Sequence, residues 1–318
     1  MTERNGDDIA EAFRAHERPL WGMLYRLTGT AADADELVQE TFLRLIERPP
    51  PDMTRALRPW LVRVAMHLGL DCLRLRKRRT YTGPWLPSPV ESAAGDGIPS
   101  FEPVDVDGVS TEGRYDLLES VSMAFLVALE ALRPRQRAVL LLRDVFDYSV
   151  DETSDALGMS PTNVKTTHHR ARRTMEEYDR RRLPITRERQ AATREVLERF
   201  VVGLATRDVD QIESLLAADV REMSDGAGEF LSALRPLHGA SDVARFFVGL
   251  ARRVPSEQYA VELRLLNGLP ALLVGVGELA PRVAPRFVLG IDLDQQGRIR
   301  EARVVQATRK LTHVIFSF

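Results

Sequence analysis

Between Ser149 and Pro161 the chain sets three helix boundaries in close succession, and few folds satisfy all of them. Ser149-Val150-Asp151-Glu152 has the form of a capping box, in which the serine accepts from a first-turn amide and the glutamate reaches back. Gly158 supplies the left-handed residue that ends a helix at little cost. Ser160-Pro161 then opens another, with an N-cap serine and a proline at the first helical position. Val150, Leu157, Met159 and Val164 would fill the wedge between the two, so the segment reads as a helix-turn-helix. One face of the second helix carries Thr162, Lys165, Thr166 and His169, placed to enter a major groove. Arg170, Arg172 and Arg173 suit phosphates, which add affinity without sequence choice. A plain helical hairpin with a basic flank is the alternative, and Ser154 stands where a small alanine is usual.

A net charge of −2 would exclude a polyanion-binding protein only if the charge were evenly spread, and it is not. Arg74, Arg76, Lys77, Arg78 and Arg79 form one basic block, and Arg170, Arg172, Arg173, Arg180, Arg181 and Arg182 another. Between them runs an acidic stretch with Glu102, Asp105, Asp107, Glu112, Asp116 and Glu119. Two separated cationic patches fit a chain that touches nucleic acid at two places. Cys72, the single cysteine, excludes an internal disulfide and suggests no metal cluster. The polar start, Met1 to Asp8, does not resemble a signal peptide, and no apolar run is long enough to cross a bilayer. The expectation is a cytoplasmic protein with no metal, no cofactor and no membrane association.

Hydrophobic spacing divides the chain. Residues 1–79 form a first domain whose pattern is helical from Ile9 to about Arg79: Leu20, Leu24 and Leu27 mark one helix, Leu37 to Leu45 a second, and Leu57, Leu61, Val64, Ala65 and Leu68 a third. Pro49-Pro50-Pro51 breaks the chain before the third. Residues 80–114 lose periodicity and read as a linker. Helical patterning returns over 115–182 with the helix-turn-helix at its end. Residues 190–318 change character, with leading helices and then strand-like pieces at Val220 to Met223, Tyr259 to Leu265, Ala271 to Val276, Arg286 to Ile291 and Ile299 to Val305. Asp225-Gly226, Asn267-Gly268 and Gln296-Gly297 provide tight turns, which together predict an α+β domain with a curved antiparallel sheet.

In the second helix Leu37, Val38, Phe42 and Leu45 face a core. Asp33, Asp35, Glu36, Gln39, Glu40 and Arg44 are left outside, to be solvated or to meet a basic partner. The third helix carries Arg63, His67 and Arg74 on its polar face, with Trp60 near its start. Cations interleaved with an aromatic suit single-stranded or melting DNA, although Trp60 also fits a core position.

These pieces, in this order, resemble the extracytoplasmic-function sigma factors, two-domain initiation factors of bacterial transcription. The resemblance covers Ile9 to Tyr178. It implies that Ala34 to Phe42 is the helix that docks on the clamp coiled coil of core RNA polymerase, with Asp33, Asp35, Glu36, Gln39 and Glu40 as contacts. It implies that Pro59 to Ala65 and Asp71 to Arg74 belong to the helix that opens and reads the −10 element of promoter DNA, through Trp60, Arg63, His67, Arg74, Arg76 and Lys77. The segment from Leu132-Arg133-Pro134 to Arg173 matches region 4, with Thr162, Lys165, Thr166, His169, Arg170 and Arg173 on the −35 element.

Gly83-Pro84-Trp85-Leu86-Pro87-Ser88-Pro89 resembles the linker signature of members with a fused SnoaL-like (NTF2-like) domain. Ser224 to Glu229, Leu234 to Gly239 and Asn267 to Ala271 are similar to that extension. The implied fold is two all-α helical domains followed by an α+β NTF2-like cone. The implied function is promoter-specific initiation, without enzymatic activity, modulated by the fused domain in place of a separate anti-sigma factor. The regulatory contact would join Trp85, Leu86 and Pro87 to the loop of Asp225, Gly226 and Gly228. A tail motif typical of the family, Asn-Pro-Asp-Lys-Leu, survives here only as Lys310-Leu311. Asp225 and His238 are the acid–base candidates should the cone retain catalysis, although Asp225-Gly226 is also a turn signal. Phe230, Phe246, Phe247 and Tyr259 fit either the wall of a small-molecule pocket or the core.

Overall fold

The computed structural model describes residues 2–52, 56–78, 81–92, 114–253, 255, 258–277 and 282–318, with side chains from residue 9 onward and excluding those of 77 and 78. Two compact units emerge: residues 1–79 with 100–182, and residues 80–99 with 183–318.

The first unit is all-helical. α1 (Thr2–Thr28), α2 (Ala31–Glu47) and α3 (Arg58–Arg78) form one three-helix module. Their mutual faces bury Leu20, Leu24, Leu27, Val38, Phe42, Leu45, Leu61, Ala65 and Leu70. All but Leu70 belong to the helical pattern read from the sequence; Leu37, Leu57, Val64 and Leu68 of that pattern are only partly buried. The second module holds the short α4 (Leu117–Ser120) and α5 (Met123–Ala128), then α6 (Pro134–Asp144), α7 (Val150–Leu157) and α8 (Pro161–Arg181).

Both expected caps form. Ser149 Oγ accepts from Glu152 N at 3.1 Å, and Glu152 accepts from Ser149 N at 2.7 Å. Ser160 Oγ accepts from Asn163 N at 3.3 Å. Gly158 closes α7 at φ 59°, a left-handed conformation that a side chain would strain. The hydroxyl of Ser154 is absorbed locally by donating to Val150 O at 2.8 Å.

In the second unit α9 (Arg187–Thr206), α10 (Val209–Leu215) and α11 (Ala240–Ala251) accompany a six-stranded sheet. The strands are β1 (Leu216–Asp225), β2 (Leu237–His238), β3 (Tyr259–Leu266), β4 (Leu269–Val276), β5 (Arg286–Leu293) and β6 (Ile299–Val305), in the order β2-β1-β6-β5-β4-β3. The expected turns are present, Asn267-Gly268 joining β3 to β4. The sheet is not wholly antiparallel, however: β1 runs parallel to β6. The long connection from β1 through α11 and the β3–β5 meander permits this, and strand spacing alone carries no direction. Val196, Leu197 and Phe200 of α9, Ile212 of α10, and Val243, Phe247 and Val248 of α11 bury one face of the sheet against Val220, Leu272, Leu289, Ile291, Ala302 and Val304. Helices are thus laid across one face of a mixed sheet.

Candidate polymerase- and promoter-binding surfaces and the linker clasp

The acidic face of α2 is partly engaged within its own module. Asp35 Oδ1 accepts from Trp21 Nε1 at 2.6 Å, and Asp33 accepts from Thr30 Oγ1. Glu40 pairs with Arg44 at 3.0 Å. Glu36 and Gln39 are exposed, and with them stand two apolar residues that sequence reasoning left out, Leu43 and Ile46, 51% and 57% exposed. At positions 36, 39/40, 43 and 46/47 they continue one helical stripe. Exposed leucine and isoleucine beside glutamates make this stripe amphipathic rather than purely acidic.

On α3, Arg63 and His67 are exposed and Trp60 is half-buried. Arg74 is exposed and pairs with Asp71 at 2.5 Å. These residues share one face. Arg76 does not: its guanidinium donates to Thr28 O at 2.6 Å and to Glu130 at 3.0 Å, joining the two helical modules. The side chain of Lys77 lies outside the described residues.

On α8 the expected reading face is open: Thr162, Lys165, Thr166, His169, Arg170 and Arg173 are all exposed, while Val164, Ala171 and Met175 pack inward. Arg172 does not belong with the phosphate-facing arginines. It donates to the buried carboxylate of Asp144 at 3.0 Å and 2.5 Å, and His168 Nε2 lies 2.8 Å from the same group. Burial alone would raise the Asp144 carboxyl, but the bonds from His168 and Arg172 hold it below its ordinary range. The pair is a strut fixing α8 on α6.

The two helical modules meet through buried arginines. Arg26, wholly buried, donates to Ser120 Oγ at 2.7 Å, Leu117 O at 3.1 Å and Gly22 O at 2.9 Å. Arg137 donates to Leu27 O at 3.0 Å, Leu129 O at 2.8 Å and Glu130 Oε1 at 2.6 Å. Guanidinium donors aimed at backbone carbonyls and a carboxylate offset the cost of burial. Further along, α3 packs on α7: Arg63 Nε donates to Asp155 O at 2.9 Å, and a Cβ at Gly158 would lie 3.9 Å from His67 Nε2. Sequence pattern gave no sign of this interface, because Arg26 and Arg137 look like ordinary polar positions in helices.

In the second unit the linker is a bound strap. Leu86, Pro87, Ser88, Pro89 and Val90 are buried, and Trp85 is half-buried. Asp225, at the end of β1 and wholly buried, is the hub. It accepts from Tyr81 OH at 2.5 Å, Leu86 N at 2.7 Å, Ala227 N at 3.1 Å and Lys310 Nζ at 2.5 Å. Lys310 also donates to Leu86 O at 2.5 Å, and its ammonium sits 4.2 Å from the Trp85 ring centroid and 4.9 Å from that of Tyr81. Such a cation–π pair strengthens when shielded from water.

Gly228 sits at φ 78°, a left-handed conformation that a side chain would strain, and a Cβ there would press on Thr82 of the strap at 3.3 Å. Downstream, Val90 and Asn267 exchange bonds of 3.0 Å in both directions, through the Asn267 amide N–H and side-chain oxygen, and Ser92 N donates to Leu265 O at 3.0 Å. Glu91 bridges to Leu266 in antiparallel fashion, so the strap extends the edge strand β3. The C-terminal segment holds it from the other end, Ile315 N donating to Glu91 Oε1 at 2.9 Å.

Trp85, Leu86, Asp225 and Gly228, proposed together from the sequence, are therefore brought together, and Gly226 follows directly on Asp225. Lys310, Tyr81 and Asn267 were missed as partners. With its oxygens committed to four donors, Asp225 is not a free general base, and His238 is exposed on β2. Phe247 is core, with Phe246 and Tyr259 packed on its edge; Phe230 is half-buried in the loop after β1.

Comparison with known proteins agrees with this architecture. Residues 12–80 match the sigma-70 region 2 family and residues 122–175 the sigma-70 region 4 family. The ECF RNA polymerase sigma factor SigJ of Mycobacterium tuberculosis is 34% identical over 284 residues, covering 86% of this chain and 84% of SigJ. SigG of the same species is 34% identical over 245 residues, 73% of this chain and 65% of SigG. The crystal structure of M. tuberculosis SigJ superposes with a TM-score of 0.68 at 29% identity, covering 96% of this chain and 98% of that one. The described residues contain no helix long and apolar enough to cross a membrane. Two sigma-70 regions in order, and likeness to SigJ over nearly the whole length, place this chain in the extracytoplasmic-function RNA polymerase sigma factors, a family of non-enzymatic transcription initiation factors.

Proposed function

We propose that this sigma factor docks on the clamp coiled coil of core polymerase through α2, reads the −10 element with α3 and the −35 element with α8, and is restrained by its own C-terminal domain in place of a separate anti-sigma factor. The observation that carries the regulatory part is the Asp225–Lys310 clasp on Tyr81, Trp85 and Leu86. A domain fused to the chain meets the strap at an effective concentration that can reach the mM range, so weak individual contacts suffice to hold it. Polymerase or a small ligand of the C-terminal domain would act by competing with that grip. On the −10 side Trp60, Arg63, His67 and Arg74 are the working set, Arg76 serving the module interface instead.

The test is run-off transcription with purified core polymerase, comparing the wild-type chain with Asp225→Asn/Lys310→Met, which removes both clasp charges and leaves the domain in place. Higher output from the variant is expected. Equal output would remove the regulatory reading while leaving the sigma-factor assignment untouched.

Core docking has its own test. Glu36→Lys and Leu43→Asp lie on the exposed stripe of α2, clear of the Trp21–Asp35 bond, so both should spare the fold. Each is expected to weaken polymerase binding at least about tenfold, the scale of losing one central interface contact of 1.4 kcal/mol or more. Competition against the wild-type factor for limiting core enzyme measures it. If Leu43→Asp competes as well as wild type, the apolar half of the stripe is not part of the docking face.

A further inference from the structure

The strand that ends in Asp225 carries different chemistry on its other side. Alternation along β1 puts Val220, Glu222 and Ser224 on the helix-covered face and Arg221, Met223 and Asp225 on the opposite one. The register partners of Glu222 and Ser224 on β6 are Ala302 and Val304, both members of the apolar core, and the partner of Glu222 on β2 is Leu237. Glu222 is 0% exposed. The Ser224 hydroxyl donates to its Oε1, and its Oε2 has no hydrogen-bond partner.

The charged groups on the surrounding elements are occupied elsewhere. Asp219 and Arg300 pair with one another toward the start of the strand, at 3.4 Å. On the opposite face Arg221 pairs with Glu301, and Arg303 with Glu301 and Asp292. His238 of β2 is the register partner of Arg221 and is exposed. On α11, Asp242 and Arg245 pair with each other at the surface. Burial therefore pushes the Glu222 carboxyl up to about 7, opposed only by the bond from Ser224.

We propose that Glu222 is a proton-operated release for the linker strap: protonated, it seats the end of β1 in the core; ionised, it loosens that end and the adjoining Asp225 with it. The proton passes to solvent, and the carboxylate gains hydration only if the strand end opens. Three residues further along, the Asp225 side chain holds Tyr81, Leu86 and Lys310, and its carbonyl accepts from Gln306 N at 2.8 Å and Ala307 N at 3.1 Å. Opening at Glu222 therefore reaches every element of the clasp. Acid tightens the strap and neutral to alkaline conditions loosen it. The consequence for transcription rests on the regulatory reading given above; the release itself does not.

Backbone hydrogen exchange at Leu86, whose N–H is held by Asp225, in the full-length chain and corrected for the intrinsic pH dependence of exchange, tests this. A solvated glutamate titrates near its ordinary value and the seated one near 7. The opening equilibrium should thus rise roughly tenfold per pH unit between about pH 5 and about pH 7 and then level off. Glu222→Gln should abolish the rise and keep the strap protected throughout. Ser224→Ala, which removes the one bond favouring the ionised form, should move the levelling point to higher pH, and it serves if the glutamine variant fails to fold. A flat wild-type profile, or an undiminished rise in Glu222→Gln, overturns the proposal. If exchange rises as expected but transcription ignores pH, the release stands and the regulatory reading of the clasp falls.

Discussion

Replacing Lys310 with alanine is expected to lower the unfolding midpoint of the C-terminal unit by on the order of 10 °C while leaving the helical unit's transition in place. The estimate follows from burial. Lys310 is 5% exposed and Asp225 not at all, so the substitution strands a carboxylate that keeps Tyr81, Leu86 N and Ala227 N as donors but loses its countercharge. Removing one partner of a buried pair costs about 3–5 kcal/mol, and a unit of this size loses about 2–4 °C per kcal/mol. Asp225→Asn/Lys310→Met, with no charge to strand, should recover most of the loss. Differential scanning calorimetry of the three full-length proteins reads both transitions. A shift of only a degree or two for Lys310→Ala would mean that water solvates the pair and that the clasp is held by packing of Leu86 and Val90 alone.

The same reasoning bears on how the C-terminal domain should be removed in any experiment. Residues 80–99 belong with it, not with the helical unit. A chain cut after Arg182 keeps Leu86, Pro87 and Val90 but loses Asp225, Asn267 and Lys310, and so exposes an apolar strap that is otherwise buried. Altered behaviour of that truncation would mix loss of regulation with a new sticky segment. The charge-neutral double variant avoids the confusion.

What could be read from the sequence is what local chemistry dictates. Ser149, Glu152, Gly158, Ser160 and Pro161 fix their helices through bonds to residues within a turn, and the five longer strands were found by alternation bounded by turn residues. The linker was legible as a break in periodicity but not as a bound strap. Its partners, Asp225, Asn267 and Lys310, are distant in sequence, and Gly-Pro-Trp-Leu-Pro-Ser-Pro has no period to betray burial. The cluster around Asp225 was reached through family resemblance, which supplied Trp85 and Asp225 together but not the cation between them. Lys310 is one of the two tail positions that still match the family motif, so the divergence of Ala307, Thr308 and Arg309 leaves in place the residue that bonds Asp225 and Leu86. Glu222 and Arg137 were invisible for one reason: a charged residue in a strand or helix reads as surface until burial is known.

Locking the two helical modules together is expected to abolish promoter-dependent transcription without preventing polymerase binding. Elements named for positions −10 and −35 lie about 25 base pairs apart, on the order of 85 Å at 3.4 Å per pair. In the structure the helix proposed for the first touches the helix-turn-helix proposed for the second, Arg63 donating to Asp155 O at 2.9 Å. No rigid placement of the unit serves both sites, so the modules must part. Parting breaks the bonds of Arg26 to Ser120 and Leu117, of Arg137 to Leu27, and of Arg76 to Glu130, donors that water and DNA phosphates must then satisfy. Arg76→Cys/Glu130→Cys in a Cys72→Ser background, at a pair that spans the module interface and lies outside the −10 set, joined by a short cleavable bis-maleimide, holds them together. Run-off product should fall to the level without sigma factor and return on cleavage, while pull-down with core polymerase through the α2 stripe persists. Glu130→Ala should act the other way, because it unpairs Arg76 and Arg137 at once and favours the parted state. Full transcription from the cross-linked protein would mean that the closed unit already matches the promoter, and that α3 and α8 are not the two reading helices.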